Sequence, residues 1–155
     1  MNTTNVLHDK QRVLSKAVIR VATYLGLQER TIADVLGLDI ITTSGLYSGD
    51  YLLSPDEREW ELAVLLVNLY DRLSVITGDS QADAVKWLNS PNYALQNCSP
   101  IELITTTDGL VCVVRYLGSI AVNYDLKNMA SRITPENKHD FSETGFGEPV
   151  GREKL

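Results

Sequence analysis

Apolar residues recur along most of this chain at three- and four-residue spacing, the period of an amphipathic helix. In the first segment Val13, Ala17, Val21, Tyr24 and Leu25 mark the stripe, and Leu14, Val18 and Ala22 widen it. Gly26 is placed to end that helix, since a residue past a helix terminus commonly takes the left-handed conformation. A short second helix is predicted over Gln28 to Leu36, with Ile32, Val35 and Leu36 on one face and a stop at Gly37. A third is predicted from Thr42 to about Tyr47, capped by Thr42 or Thr43.

Ser54-Pro55-Asp56-Glu57 combines a capping residue, a proline and two acids, the signature of a helix start. The helix it opens is expected to run to about Ile76 and stop at Gly78. Its apolar positions (Trp60, Ala63, Val64, Val67, Leu69, Tyr70, Leu73) cover most of the circumference, so neighbours should bury it on more than one side. Asp79 or Ser80 is expected to cap a further helix through Leu88, followed by a proline turn over Asn89 to Asn92. Ser99-Pro100-Ile101-Glu102 repeats the cap-then-proline start. Thr107-Asp108-Gly109 is read as a break, after which Leu110 to about Leu126 resumes the helical period. The β-branched run Val111 to Val114 imitates a strand, but the surrounding spacing favours a helix. Beyond Lys127 the period is lost, and 128–155 reads as a flexible or partner-ordered tail.

Composition adds boundaries to this all-α reading. At 155 residues the chain can bury a core without staples. The two cysteines, Cys98 and Cys112, lie in neither CxxC nor Cys/His ligand spacing, which argues against structural zinc and for a reducing compartment. Met1 to Lys10 is polar and carries Asp9, unlike a signal peptide. The longest apolar run, Leu62 to Val67, is too short to cross a bilayer. A soluble cytoplasmic protein, with no membrane partner, is expected.

The net charge of −6 disfavours strong nonspecific affinity for nucleic acid, yet it is unevenly spread. Up to Leu53 five bases balance five acids; from Ser54 to Lys127 five bases face ten acids; the tail holds four and five.

Residues that could do chemistry are scarce. His8 and His139 sit in polar termini, and Ser15 and Cys98 have no base near them in sequence. Gly145-Phe146-Gly147 lacks the strand and helix that a phosphate-cradling loop requires. The acids Asp56, Glu57, Glu59 and Glu61 read as the solvated first turns of a helix. No catalytic residue, metal site or cofactor is expected.

The second and third segments are more informative. A helix ending in Leu-Gly-Leu, a tight turn and a Thr/Ser-rich helix start follow the helix-turn-helix pattern. Thr42, Thr43, Ser44 and Tyr47 would then face DNA. No Lys or Arg occurs between Arg30 and Arg58, however, so the same pattern fits a small packing and dimerisation module. Lys10, Arg12, Lys16 and Arg20 on the first helix are the better candidates for phosphate contact.

Trp87-Leu88-Asn89-Ser90-Pro91-Asn92-Tyr93-Ala94-Leu95, then Pro100, Leu103, Gly109, Val113, Val114, Tyr116 and Leu117, resembles the toxin-binding C-terminal domain of MbcA/ParS/Xre antitoxins. The upstream helices, with their Leu-Gly-Leu turn and Ser-Pro-Asp-Glu-Arg, resemble that family's Xre-like N-terminal domain. The resemblance spans about Leu14 to Leu126. It implies a homodimeric antitoxin that binds and neutralises a RES-domain toxin, an enzyme that consumes NAD; operator DNA is a further expected partner, bound weakly because the third helix has no cation and the net charge is −6. It also implies that the helical pair around Pro91 to Leu117 faces the toxin. This sequence departs from the family in three places. Gly45 and Leu46 stand where relatives carry a basic residue, Asn97 replaces a glycine, and the chain continues well past the end of compact members.

The domain scheme that follows is 1–78, an Xre-like helical module; 79–127, a toxin-binding helical module; and 128–155, the tail. Within the second module Pro91 should stop the Trp87 helix, and Trp87, Leu88, Ala94 and Leu95 should fold over Val113 and Leu117. Asn92, Tyr93, Arg115 and Tyr116 are the expected toxin contacts, joined by Phe141 and Phe146 of the tail. Two other functions remain open at this level. One is a stand-alone helix-turn-helix regulator, which would bind its operator tightly; the other is an adaptor using the second module for a different partner.

Overall fold

In the computed structural model, which describes residues 3–131 and the side chains of 3–123, the helical period is realised as seven α-helices. They are α1 (Thr3–Leu25), α2 (Glu29–Leu36), α3 (Ile40–Ser48), α4 (Arg58–Thr77), α5 (Gln81–Asn89), α6 (Pro100–Leu103) and α7 (Thr107–Ser131), with one 3-10 turn at Tyr93–Leu95. No strand occurs among the described residues, so the fold is all-α; an isolated bridge joins Asn92 to Cys98.

The centre is α4. It packs against α1, α2 and α5, and Ala63, Leu66, Leu69 and Leu73 lose all contact with solvent. Its helix ends at Gly78, whose φ of 61° is in the left-handed region, so that its N–H can turn back to the carbonyls of Ser74 and Val75. The expectation of burial on several sides holds.

Several boundaries differ from the sequence reading, each for a local reason. Ser54–Glu57 is a turn closed by Glu57 N–H to the Ser54 carbonyl at 3.0 Å, and α4 starts only at Arg58. In α3 the cap is Asp39, whose carboxylate accepts from both the Thr42 N–H (2.8 Å) and the Thr42 hydroxyl (2.9 Å). A carboxylate three positions upstream of Thr42 outcompetes the threonines, because it also faces the positive end of the helix dipole. Thr107-Asp108-Gly109 forms the first turn of α7 instead of a break. The Thr106 hydroxyl accepts from Gly109 N–H at 3.1 Å, and a Cβ at Gly109 would overlap the Leu103 carbonyl. The helix also runs on to Ser131, beyond the expected Leu126.

On α1 the buried stripe is Ser15, Val18, Val21, Ala22 and Leu25. Val13, expected in it, is 68% exposed, since four-residue steps from Val13 through Ala17 drift around the helix away from Val18 and Val21.

Two buried polar residues hold the loop between α3 and α4. Ser15 accepts the Leu53 N–H at 3.0 Å, and Leu53 is fully buried. Glu59 is also buried, a correction to its reading as part of a solvated acidic face; its carboxylate accepts from the Tyr51 hydroxyl and, at 3.4 Å, from the Ser54 N–H. Burial, and then Glu59, push the Tyr51 phenol well above its ordinary pKa.

Two consequences are measurable. Ser15→Ala leaves a buried N–H without an acceptor and should cost about 1–3 kcal/mol in chemical unfolding; an unchanged midpoint and slope would show that the loop is held elsewhere. The Asp39 carboxyl is held below its usual pKa, first by the Thr42 N–H and then by the Thr42 hydroxyl. A depressed carboxylate stabilises the fold above its unfolded pKa of about 4 and loses that contribution as pH falls below it. The Tm difference between wild type and Asp39→Ala should therefore be largest near neutrality and shrink in acid, followed by circular dichroism.

Candidate functional site

The residues expected to face a partner lie on the loop after α5 and on α7. Ser80 caps α5 by accepting the Asp83 N–H at 3.2 Å. Pro91 has no N–H to donate and the chain leaves the helix at Ser90, in extended conformation. The following loop closes on itself. Asn92 N–H donates to the Cys98 carbonyl at 3.1 Å, and Asn97 N–H returns to the Asn92 carbonyl at 2.9 Å. Inside that ring the Asn92 side-chain oxygen accepts from Ala94 N–H at 2.9 Å, which fixes the 3-10 turn.

The loop carries strain. Gln96 and Asn97 take φ of 58° and 64°, left-handed values that non-glycine residues adopt at a cost of about 1–2 kcal/mol each, less for Asn. Asn97 replaces a glycine of the family pattern at a position where the backbone explains that glycine. Strain of this kind persists where neighbouring contacts over-determine the chain. Here they are the ring of hydrogen bonds and the buried Leu95.

Tyr93 stands at the tip of the loop, 89% exposed. Ala94 is exposed as well, although it was expected in the core beside Leu95. A 3-10 turn of three residues can bury only one of its side chains deeply, and Leu95 is that one. On α7 Arg115 is exposed, while Tyr116 is half-buried and stacks on Trp87 with ring centroids 6.5 Å apart and planes at 11°. That stack links α5 to α7 over a floor of Leu88, Ile104, Leu110, Val113 and Leu117, all fully buried. The four expected residues therefore divide. Tyr93 and Arg115 are free to meet a partner; Tyr116 is partly covered and stacked on Trp87; the Asn92 carbonyl oxygens are already used in the turn. Phe141 and Phe146 lie outside the described residues, as does the tail from 132 onward.

Sequence reasoning passed over the residues that lock α4 and α7 together. The Arg72 guanidinium donates to the Val114 carbonyl at 2.8 Å, at a place where α7 carries Gly118. Any Cβ at Gly118 would strike that guanidinium. Arg58 donates to the Thr107 hydroxyl at 2.8 Å, tying the start of α4 to the start of α7. Only the Gly118 signal was visible in the sequence, as a glycine inside a helical period.

The candidate DNA contacts divide in the same way. On α3, Thr43 is buried and its hydroxyl donates to the Asp39 carbonyl; Thr42 is held by Asp39; the Ser44 hydroxyl donates to Glu29 at 2.7 Å. Tyr47 is partly buried, and burial, then Glu29, raise its pKa. What α3 exposes at its start is Ile40 and Ile41, the latter 81% exposed. On α1, Arg12 and Lys16 line a groove against Tyr47 and Ser48, whereas Lys10 lines a different, apolar groove with Val13 and Trp60. Arg20 is exposed further along α1.

Among the described residues no cluster of His, Cys, Asp and Glu could hold a metal ion, and no helix is long and apolar enough to cross a membrane. Comparison with curated proteins gives no match. Residues 72–121 match the family model described as the antitoxin Xre/MbcA/ParS C-terminal toxin-binding domain, a span that begins at Arg72, the residue that bonds α4 to α7. The segment from the last turns of α4 to Ala121 of α7 is thus similar to the toxin-binding domain of the antitoxin Xre/MbcA/ParS family.

Proposed function

We propose that this chain is the antitoxin of a type II toxin–antitoxin pair, which acts by binding and not by catalysis, and that its target is a RES-domain, NAD-consuming toxin in the cytoplasm. The observation that carries the reading is the toxin-binding domain at 72–121 together with an aromatic side chain, Tyr93, held almost fully exposed on a self-closed loop within it. Exposed tyrosine is costly to leave in water and effective at interfaces, where it buries a large ring at small entropic cost. Arg115 adds a charge able to pair with a carboxylate on the partner. The chain beyond α7, with Phe141 and Phe146 as its large apolar residues, completes the proposal by docking on the toxin and narrowing access to its NAD pocket.

A homodimer belongs to the same reading, and α1 and α4 offer it a surface. Val6, Val13, Leu14, Ala17, Trp60, Val64 and Val67 line an apolar groove of about 520 Å³, and Val6, Val13 and Val64 are exposed. Asp9 and Lys10 stand in the same groove. In a two-fold interface each patch meets its own copy, so Asp9 of one chain can meet Lys10 of the other; the pair is self-complementary. A dimer of this kind would also present the operator-binding surface twice, which suits weak autoregulation of the operon by the complex.

Two experiments decide these points. In a titration against the purified RES toxin, Tyr93→Ala and Arg115→Glu should each weaken binding by about 1–3 kcal/mol without lowering Tm. Removing residues from 132 onward should raise residual NAD consumption. Full affinity in all three variants would place the contact surface elsewhere. For the dimer, Val13→Glu should halve the mass measured by light scattering on size exclusion; an unchanged dimer mass would exclude the α1–α4 groove.

A further inference from the structure

Helix α1 carries four cations and one acid, Lys10, Arg12, Lys16 and Arg20 against Asp9, within a chain whose net charge is −6. The cations do not share one face. Lys10 belongs to the apolar groove with α4, whereas Arg12 and Lys16, with His8 one turn before them, line a separate groove between α1 and the C-terminal end of α3. His8, Arg12, Lys16 and Arg20 follow one another at four-residue intervals, about 6 Å apart along the axis. The opposite wall of the groove is built from Tyr47, Ser48 and Gly49, and its volume is about 400 Å³. Two acids stand near this site. Asp9 approaches Arg12 at 3.9 Å, with both side chains more than half exposed, and Asp50 accepts from the Ser48 hydroxyl at 2.7 Å.

We propose that this α1–α3 groove seats the phosphate backbone of nucleic acid, and that the chain binds duplex DNA along α1 without reading its bases. Two independent features support the assignment. The first is the row of cations at regular spacing beside a hydroxyl-bearing wall, a fit for a ligand whose negative charge also repeats at regular intervals. Ion pairs with phosphate release counterions and need no groove readout. The second is that the first turns of α3, where a reading helix presents its side chains, have little left to read with. Its threonines and Ser44 are committed to Asp39 and Glu29, and its exposed start is a pair of isoleucines behind an acidic cap. Direct readout requires side-chain donors and acceptors that reach base edges. Arg12 pairs only loosely with Asp9, so the guanidinium can exchange that partner for a phosphate. The apolar groove lies on the other flank of α1, and a dimer formed there would leave two cationic rows open to one duplex.

The inference deepens the operon-binding part of the proposed function and does not depend on toxin neutralisation. The test measures fluorescence anisotropy of a labelled duplex from the chain's own promoter, and of a scrambled duplex, with the full chain. Binding should be weak, equal for the two duplexes within about threefold, and should fall with salt at a logarithmic slope near −3, as expected for about three phosphate contacts. Arg12→Glu with Lys16→Glu should reduce affinity at least tenfold, whereas Lys86→Glu, a single charge reversal at an exposed position of α5, should leave it within about twofold. The milder Arg12→Gln with Lys16→Gln should lower the salt slope by about 2 and guards against misfolding of the reversed variant. Absence of binding, equal loss in Lys86→Glu, or a preference of more than about tenfold for the promoter duplex would overturn the proposal. Tighter binding of polyglutamate than of either duplex would overturn it as well, in favour of an acidic protein partner. Toxin affinity of the same variants, measured in parallel, separates the two readings: it should not change with Arg12 and Lys16, and its absence in wild type would count against the antitoxin role alone.

Discussion

The burial of α4 is the constraint on which the rest depends. Leu66, Leu69 and Leu73 are fully removed from solvent because α1, α2 and α5 each need the same helix to cover their own apolar stripes. None of those neighbours is long or apolar enough on its second face to form a core alone. Each buried leucine contributes on the order of 1.5–3 kcal/mol of transfer free energy, so the loss of α4 would undo every other packing. Its position also explains why the segment that matches the toxin-binding family model begins inside α4. The last turns of that helix are the platform on which α5 and α7 stand, and Arg72 reaches the Val114 carbonyl from it.

Around this centre the polar residues divide into those that hold the fold and those left over for partners. Ser15, Glu59, Asp39 and Asn92 direct their side chains at backbone N–H groups that would otherwise be unsatisfied, and Arg72 bonds the Val114 carbonyl within α7. Buried backbone groups need such partners, and a chain rich in short helices has many loose ends to satisfy. Tyr93, Arg115, Arg12 and Lys16 have no comparable duty and stay exposed. The division leaves a small helical protein with side chains on several faces that the fold itself does not use.

The helical fold, its count of segments and the glycine stops at Gly26, Gly37 and Gly78 were legible in the sequence, since a period of 3.6 and left-handed glycines are local properties. The motif around Pro91 was legible because proline, asparagine and a buried leucine each have one dominant physical role there. What the sequence hid was set by geometry between segments. Glu59 reads as a surface acid until the loop with Tyr51 is folded over it. Val13 joins a stripe on paper, but four-residue steps drift around α1 and leave it 68% exposed. Lys10 and Arg12 look equivalent two positions apart, yet they are 200° apart on the helix and face different grooves. Thr42 to Ser44 read as free hydroxyls only while Asp39 and Glu29 are ignored.

The ring formed by Asn92 and Cys98 has a bearing on how such a protein can change partners over time. Because the two ends of the loop are stitched to each other and anchored by Leu95, the span between them is insulated from the helices on either side. Lengthening a closed loop is entropically cheap, about 0.6 kcal/mol for each doubling. Residues at its tip can thus be exchanged, inserted or lost while α5 and α7 keep their packing. Recognition can diverge at that tip between lineages at little expense to the scaffold, and a pair of proteins that must stay matched can co-adapt there one residue at a time.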